Sequence, residues 1–280
     1  MRTDIMDTSR YWSGLTLALL ITGAAVGLAI LSNKAHAGPA EEQKGLEIAQ
    51  EIDRRDLGFG DSKTDMEMIL TNRTGESSTR KLRLETLEVP DSEEGDKSLT
   101  IFDHPRDIKG TAFLSFTKIL EPDDQWLYLP ALKRVKRISS ANKSGPFVGS
   151  EFAYEDLTSF EVAKYSYTWL RDEPCGEMTC FVIERVPQYE RSGYSKQIAW
   201  VDTAEYRIVK VDFYDRKDSL LKTLNSSEWQ QYLDQYWRPH RMHMVNHQTG
   251  KETILTFQPY QFREGVNEAN FNQSRLARLR

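Results

Sequence analysis

Cysteine is nearly absent, with two residues in 280. Cys-only zinc sites and iron–sulfur centres need more thiolates than that, and a small disulfide scaffold needs a denser set. Also missing are a G-x-G-x-x-G run, a P-loop, a G-x-S-x-G elbow and an H-E-x-x-H pair. Nucleotide cradling, elbow-type hydrolysis and zinc peptidase chemistry therefore have no local signature. Positive charge is not in excess: 37 Lys and Arg face 42 Asp and Glu, and the net charge of −5 speaks against nucleic-acid binding. Long apolar runs are few, and a mean hydropathy of −0.59 excludes a polytopic membrane protein. What is present is ordinary globular composition, 39% hydrophobic, 11% aromatic and 28% charged.

The single long apolar run, LTLALLITGAAVGLAIL at 15–31, follows Arg10 and precedes Ala35-His36-Ala37, an A-x-A cleavage pattern. The expectation is a signal peptide over 1–37 cut after Ala37, followed by one domain over 38–280. An uncleaved anchor is the alternative, although the run sits at the short limit for a span. No cysteine precedes Cys175, so no residue near the cut could carry a lipid. In an exported chain Cys175 and Cys180 can form a bridge at the mouth of a hairpin, stabilising by about 2 kcal/mol for so short a loop. A redox pair is the rival, but the spacing is C-x4-C rather than C-x2-C.

Beyond position 38 the pattern changes from helical to extended. Leu46, Ile48, Ala49 and Ile52 give an amphipathic helix over 41–55, ended by the glycines of Asp56-Leu57-Gly58-Phe59-Gly60. From Asp65 onward apolar residues alternate with polar ones, as in Met66-Glu67-Met68 and Leu82-Arg83-Leu84. Such segments recur as about eleven or twelve strands joined by turn signals. Two short helical pieces are expected at 154–160 and 267–279. The fold class is mainly β: a long antiparallel sheet that curls, with helices over its concave face.

His240, His243 and His247 share one strand, but alternation separates His240 from the others, so no metal site is expected. Lys133-Arg134-Val135-Lys136-Arg137 is the one dense basic cluster. It reads either as a charged strand edge that resists aggregation or as a docking patch for an acidic partner or an anionic membrane. The candidate interior comprises Met66, Met68, Leu82, Leu84, Ile101, Phe113, Phe116, Trp126, Tyr128, Tyr167, Trp169, Trp200, Trp229, Met242, Met244 and Phe257. A curled sheet of this many strands can enclose more space than side chains fill, and methionines suit a cavity that adapts to flexible chains.

Three segments carry a family resemblance: Asp124-Gln125-Trp126-Leu127-Tyr128-Leu129-Pro130-Ala131-Leu132-Lys133-Arg134-Val135-Lys136-Arg137-Ile138, Gly149-Ser150-Glu151-Phe152-Ala153-Tyr154-Glu155-Asp156-Leu157, and Ile52-Asp53-Arg54-Arg55-Asp56-Leu57-Gly58-Phe59-Gly60-Asp61. With them the chain resembles the outer-membrane lipoprotein-sorting protein family, related to the carrier LolA, over about residues 41–280. The resemblance implies an incomplete, half-open β-barrel with helices as a lid over an apolar cavity. It implies a monomeric, non-enzymatic periplasmic carrier without cofactor, whose cargo is the acyl chains of a lipoprotein or lipid. It also implies transient membrane contact and an inner-membrane transporter, of the resistance-nodulation-division type in some relatives, as a partner. A sensor or adaptor subunit of such a transporter, with no transported lipid, is the competing function.

Overall fold

Alternation of apolar and polar residues over ten or so positions dictates strands buried on at least one face, and the described residues deliver fourteen of them. In the computed structural model residues 38–90, 94–119 and 121–279 are described. The expected signal segment lies outside them. One α-helix, α1 (Pro39–Asp56), comes first. Pro39 opens it where its missing N–H costs nothing, and Glu41 and Glu42 sit at its positive end. Then follow β1 (Asp61–Thr71), β2 (Ser77–Leu87), β3 (Glu94–His104), β4 (Ala112–Lys118), β5 (Asp124–Leu129) and β6 (Arg134–Ile138). A long connection over 139–164 leads to β7 (Tyr165–Cys175), β8 (Met178–Pro187), β9 (Tyr194–Asp202), β10 (Ile208–Asp215), β11 (Leu220–Tyr232), β12 (Tyr236–Asn246), β13 (Lys251–Phe257) and β14 (Gln261–Phe262).

All strands join one antiparallel sheet in the order β6-β5-β4-β3-β2-β1-β13-β12-β11-β10-β9-β8-β7, with β14 against β1. Two sequential meanders are thus stitched together by the pairing of β1 with β13. β6 and β7 are its two edges and do not pair with each other, so the barrel is incomplete. The inner face carries the main core. Met66 lies opposite both Leu82 and Phe257, and Phe113 opposite Leu127. Each such side chain, fully buried, contributes about 1.5–3 kcal/mol.

The number of strands exceeds the sequence expectation by two or three; one of the additional strands, β14, arises because the run over 252–262 is interrupted at 258–260. Helical structure differs more. The 154–160 piece is a single 3-10 turn at Tyr154–Leu157, and the C-terminal piece is two 3-10 turns, Glu268–Asn270 and Gln273–Arg278. Asn267 and Asn272 each cap one of those turns by accepting a backbone N–H two residues on. This C-terminal segment covers the outer face, where Phe271 and Leu276 pack on Leu99, Ile101, Ala112 and Leu114. It is not part of the cover over the inner face.

Candidate functional site

The unclosed side of the barrel is covered by chain rather than by sheet. α1 lies on β7, and Gly45 makes that contact possible: a Cβ there would stand 2.8 Å from the backbone nitrogens of Thr168 and Trp169. Ile48 and Ala49 are buried beneath the helix, with Leu46 and Ile52 beside them. The rest of the cover is the connection 139–164, which places Phe147, Phe152 and Tyr154 on the inner face. Phe147 stacks at 5.2 Å from Phe113 and 5.8 Å from Phe102, and Tyr154 at 5.5 Å from Phe113.

These rings fill the space they enter. Phe102, Phe113, Phe147, Met68, Leu82 and Met244 are each at most 1% exposed. A wall of a void wide enough for a hydrocarbon chain would present surface to water-sized probes, and these side chains present almost none. Two open clefts lie elsewhere, and most of the residues bordering them are polar or charged types. One, of about 280 Å³, runs between Leu70, Ser78, Thr253 and the lid residues Gly149 and Glu151. The other, of about 410 Å³, is bordered by Glu94, Lys118, Glu121, Asp124 and Arg137.

Polar pins hold the lid segment down. Arg80 donates to the Val148 carbonyl from β2, and Gln125 Nε2 donates to the Tyr154 carbonyl at 3.0 Å from β5. Glu151 N donates to Thr253 Oγ1 at 3.0 Å, and the Glu151 carboxylate accepts from Asn246 Nδ2 at 2.7 Å. Lys222 Nζ reaches the Glu151 carbonyl at 2.8 Å and Asp156 at 2.6 Å, while Tyr194 OH donates to Asp156 at 2.7 Å. Glu155, 7% exposed, accepts from Gly193 N, Ser192 Oγ and Tyr189 OH. Burial pushes its carboxyl up from the ordinary value, against those hydrogen bonds. The lid is thus apolar where it meets rings and ionic at its margins, a joint that is strong only while every partner is in place.

Where the lid runs back toward β7, carboxyls crowd together. Burial, reinforced by neighbouring acids, pushes Glu161 up to about 7 and Asp96 up to about 6; Asp53 of α1 is also raised by burial. Gly95 leaves room for the Glu161 carboxylate, since a Cβ there would fall 2.1 Å from its Oε1.

The expected interior residues divide between the two faces. Met66, Met68, Leu82, Phe113, Tyr167, Met244 and Phe257 belong to the inner core, and Leu84, Trp169 and Met242 pack against it. Phe116, Trp126, Tyr128 and Ile101 belong instead to the outer cluster. Leu127 is the inward residue of β5, so its neighbours Trp126 and Tyr128 point outward. Trp200 likewise alternates with inward Ala199 and Val201, and its indole donates to Glu173 at 2.5 Å. Trp229 belongs to neither cluster. In the lid, the residues missed by sequence reasoning are Phe147, Phe152 and Tyr154. They occupy a non-periodic connection where no alternation marks a face, although Gly149–Leu157 carries part of the family resemblance.

Among the basic residues, Arg134, Lys136 and Arg137 lie on the edge strand β6, and Lys133 stands just before it in a left-handed turn (φ 49°). All four are exposed, and Arg137 pairs with Asp124. Cys175 and Cys180 are disulfide-bonded across the β7–β8 hairpin. The three histidines go to different partners: His240 to Tyr232 and the Phe257 carbonyl, His243 to Glu252 and His247 to Thr223. Among the described residues no group of three or more His, Cys, Asp or Glu side chains is placed to hold a metal.

With this geometry fixed, comparison with known proteins is informative. A solved domain from Vibrio parahaemolyticus, assigned as an outer membrane lipoprotein-sorting protein, is 58% identical over 84% of this chain and 99% of its own, with a TM-score of 0.82. A DUF1329 family protein from Desulfovibrio piger is 29% identical over 84% of this chain and 99% of its own, with a TM-score of 0.80. A LolA superfamily protein from Nitrosomonas europaea matches in fold, with a TM-score of 0.64 at 19% identity over 81% of this chain and 97% of its own. A family model described only as that of an uncharacterized protein matches residues 94–278. No curated protein matches the sequence.

Proposed function

Since the chain belongs to the outer membrane lipoprotein-sorting protein family and has a LolA-like fold, we propose that it is a periplasmic carrier of acyl chains. The single observation that carries this reading is a large apolar sheet face covered by one helix and irregular chain instead of by sheet. Here β6 and β7 stay unpaired with each other and are joined through the 139–164 segment, held at its margins by side chains, while α1 is seated on β7. Each CH₂ of cargo exposed to water costs about 0.8 kcal/mol, so a carrier must offer a covered apolar surface. In the closed state Phe147, Phe152 and Tyr154 occupy that surface as stand-ins for cargo. Loading is then an exchange of protein rings for acyl chains, and differential affinity of the two lid positions sets uptake and release.

In this reading residues 1–37 export the chain and are removed, and the monomer works without cofactor or covalent chemistry. The exposed Lys133, Arg134, Lys136 and Arg137 orient it toward an anionic membrane surface or an inner-membrane transporter that hands over a lipoprotein or lipid. The alternative is a transporter-associated sensor whose interior never empties. The full occupation of the inner face by its own rings favours that alternative. Native mass spectrometry of protein purified from its own periplasm separates the two. Co-purifying lipid, or uptake of an added fluorescent fatty acid, supports the carrier; a bare mass with no uptake at saturating fatty acid contradicts it.

A further inference from the structure

Every other strongly buried cation beneath the lid has a carboxylate to face. Lys222 meets Asp156 at 2.6 Å, Lys164 meets Asp123 at 2.5 Å, and Lys143 is drawn to Glu155 while lying over the Tyr189 ring. Arg185 is the exception. It is 7% exposed, yet among the described residues it has no ion pair, and its Nε is a buried donor without an acceptor. Its position in β8, opposite Tyr167 of β7 and Gln197 of β9, places it on the inner face two residues from Ile183. Its guanidinium lies 5.5 Å from the Tyr165 ring and 5.9 Å from that of Phe160 in the lid.

An unpaired guanidinium in such a place is expensive. Desolvation costs several kcal/mol, and aromatic faces return only part of it. An apolar side chain of similar length would fill the same volume without that cost, so the charge has no packing rationale. What it offers is a forked donor on the inner face among the rings of Tyr165 and Phe160, a group whose geometry grips carboxylate and phosphate.

We propose that Arg185 is the head-group site of the inner face once the lid rings give way: its guanidinium receives the oxyanion, carboxylate or phosphate, at the polar end of an acyl chain lying along that face. This rests on the carrier reading and adds to it a ligand class, anionic single-chain or multi-chain amphiphiles. Movement of Phe160 with the lid opens the position, and the incoming oxyanion satisfies the orphaned Nε–H.

The test is calorimetric titration of the lipid-free mature protein at pH 8 with laurate, dodecyl phosphate and 1-dodecanol, which share one chain. Inorganic phosphate is the chainless control. The wild type is expected to bind at least one of the two anions about tenfold or more tightly than the alcohol, and inorganic phosphate not at all. The stronger anion identifies the head group. Arg185→Met is expected to abolish the preference by weakening the anions alone, leaving dodecanol unchanged. Arg185→Lys, which keeps the charge but loses Nε, is expected to retain only part of it, and serves if the methionine variant does not fold. Equal binding of alcohol and anions by the wild type, or an anion preference that survives both substitutions, overturns the head-group site and leaves the carrier standing. Binding of inorganic phosphate alone overturns the amphiphile and leaves a plain anion site. Failure of all three chain ligands to bind overturns the carrier and the head-group site together.

Discussion

Arg80 and Glu161 hold the lid in different ways. Arg80 spans from β2 to the carbonyl of Val148, in a position where burial lowers its pKa and only that bond and the neighbouring Asp107 offset the cost. Arg80→Met removes a charge-assisted hydrogen bond, each of which is worth about 1.5–3 kcal/mol. Amide hydrogen exchange over 147–152 is expected to accelerate by about tenfold or more, with the rest of the sheet unaffected. Unchanged exchange there would show that the lid is not held at this point. Glu161 acts through protonation. Its folded pKa lies above its ordinary value of 4.5, at about 7, so the folded form binds its proton more tightly than the unfolded chain does. The resulting stabilisation is complete below pH 4.5 and is lost as the pH rises through about 7. Asp96 adds the same sign, its contribution being lost as the pH rises from 3.8 through about 6. The melting temperature is expected to fall by a few degrees between pH 5 and pH 8, and Glu161→Gln to flatten that slope. A wild-type profile that rises over this interval would contradict the assignment.

Among the elements, α1 is decided by one missing side chain. Gly45→Ala should help an isolated helix by roughly 1 kcal/mol. In the protein its Cβ would press on the β7 backbone at 2.8 Å, where nothing flexible can yield. The overpacking term, typically about 1–3 kcal/mol, wins. A melting temperature lowered by several degrees is expected in differential scanning calorimetry, and a raised one would show that α1 is not seated on β7. The edge strand β6 makes its own test. Replacing Lys133, Arg134, Lys136 and Arg137 with Ser should weaken binding to phosphatidylglycerol vesicles at low salt, by about 1 kcal/mol per charge. Equal vesicle sedimentation of variant and wild type would return this strand to the role of a charged, aggregation-resistant edge. Strand existence was legible because alternation fixes a face once register is known, as at Met66 and Met68. Faces were not legible in β5, where Trp126-Leu127-Tyr128 is apolar at three successive positions and both faces of the sheet are buried. The lid was the least legible element, because Phe147 and Phe152 lie in irregular chain whose only local signals are turn residues. The C-terminal segment has helix formers in Glu268, Ala269, Leu276 and Ala277, but its asparagines cap short turns, so it docks as 3-10 turns on the outer face.

At the scale of the molecule, one sheet carries two separate cores, and the C-terminal segment packs on the outer face of β3–β6 without touching the lid rings of the inner core. The asymmetry also supplies reporters. Of the methionines in the described residues, Met66, Met68, Met242 and Met244 belong to or pack against the inner core, whereas Met178 is 36% exposed at the β7–β8 hairpin. The central claim is that an acyl chain replaces the lid rings on the inner face. Its most direct test is methyl NMR of ¹³C-methionine-labelled protein with a nitroxide-labelled stearate. Selective broadening of the four inner methyl signals, sparing Met178, is the predicted result. Broadening of Met178 alone, or of no methyl at all at saturating ligand, would contradict the account.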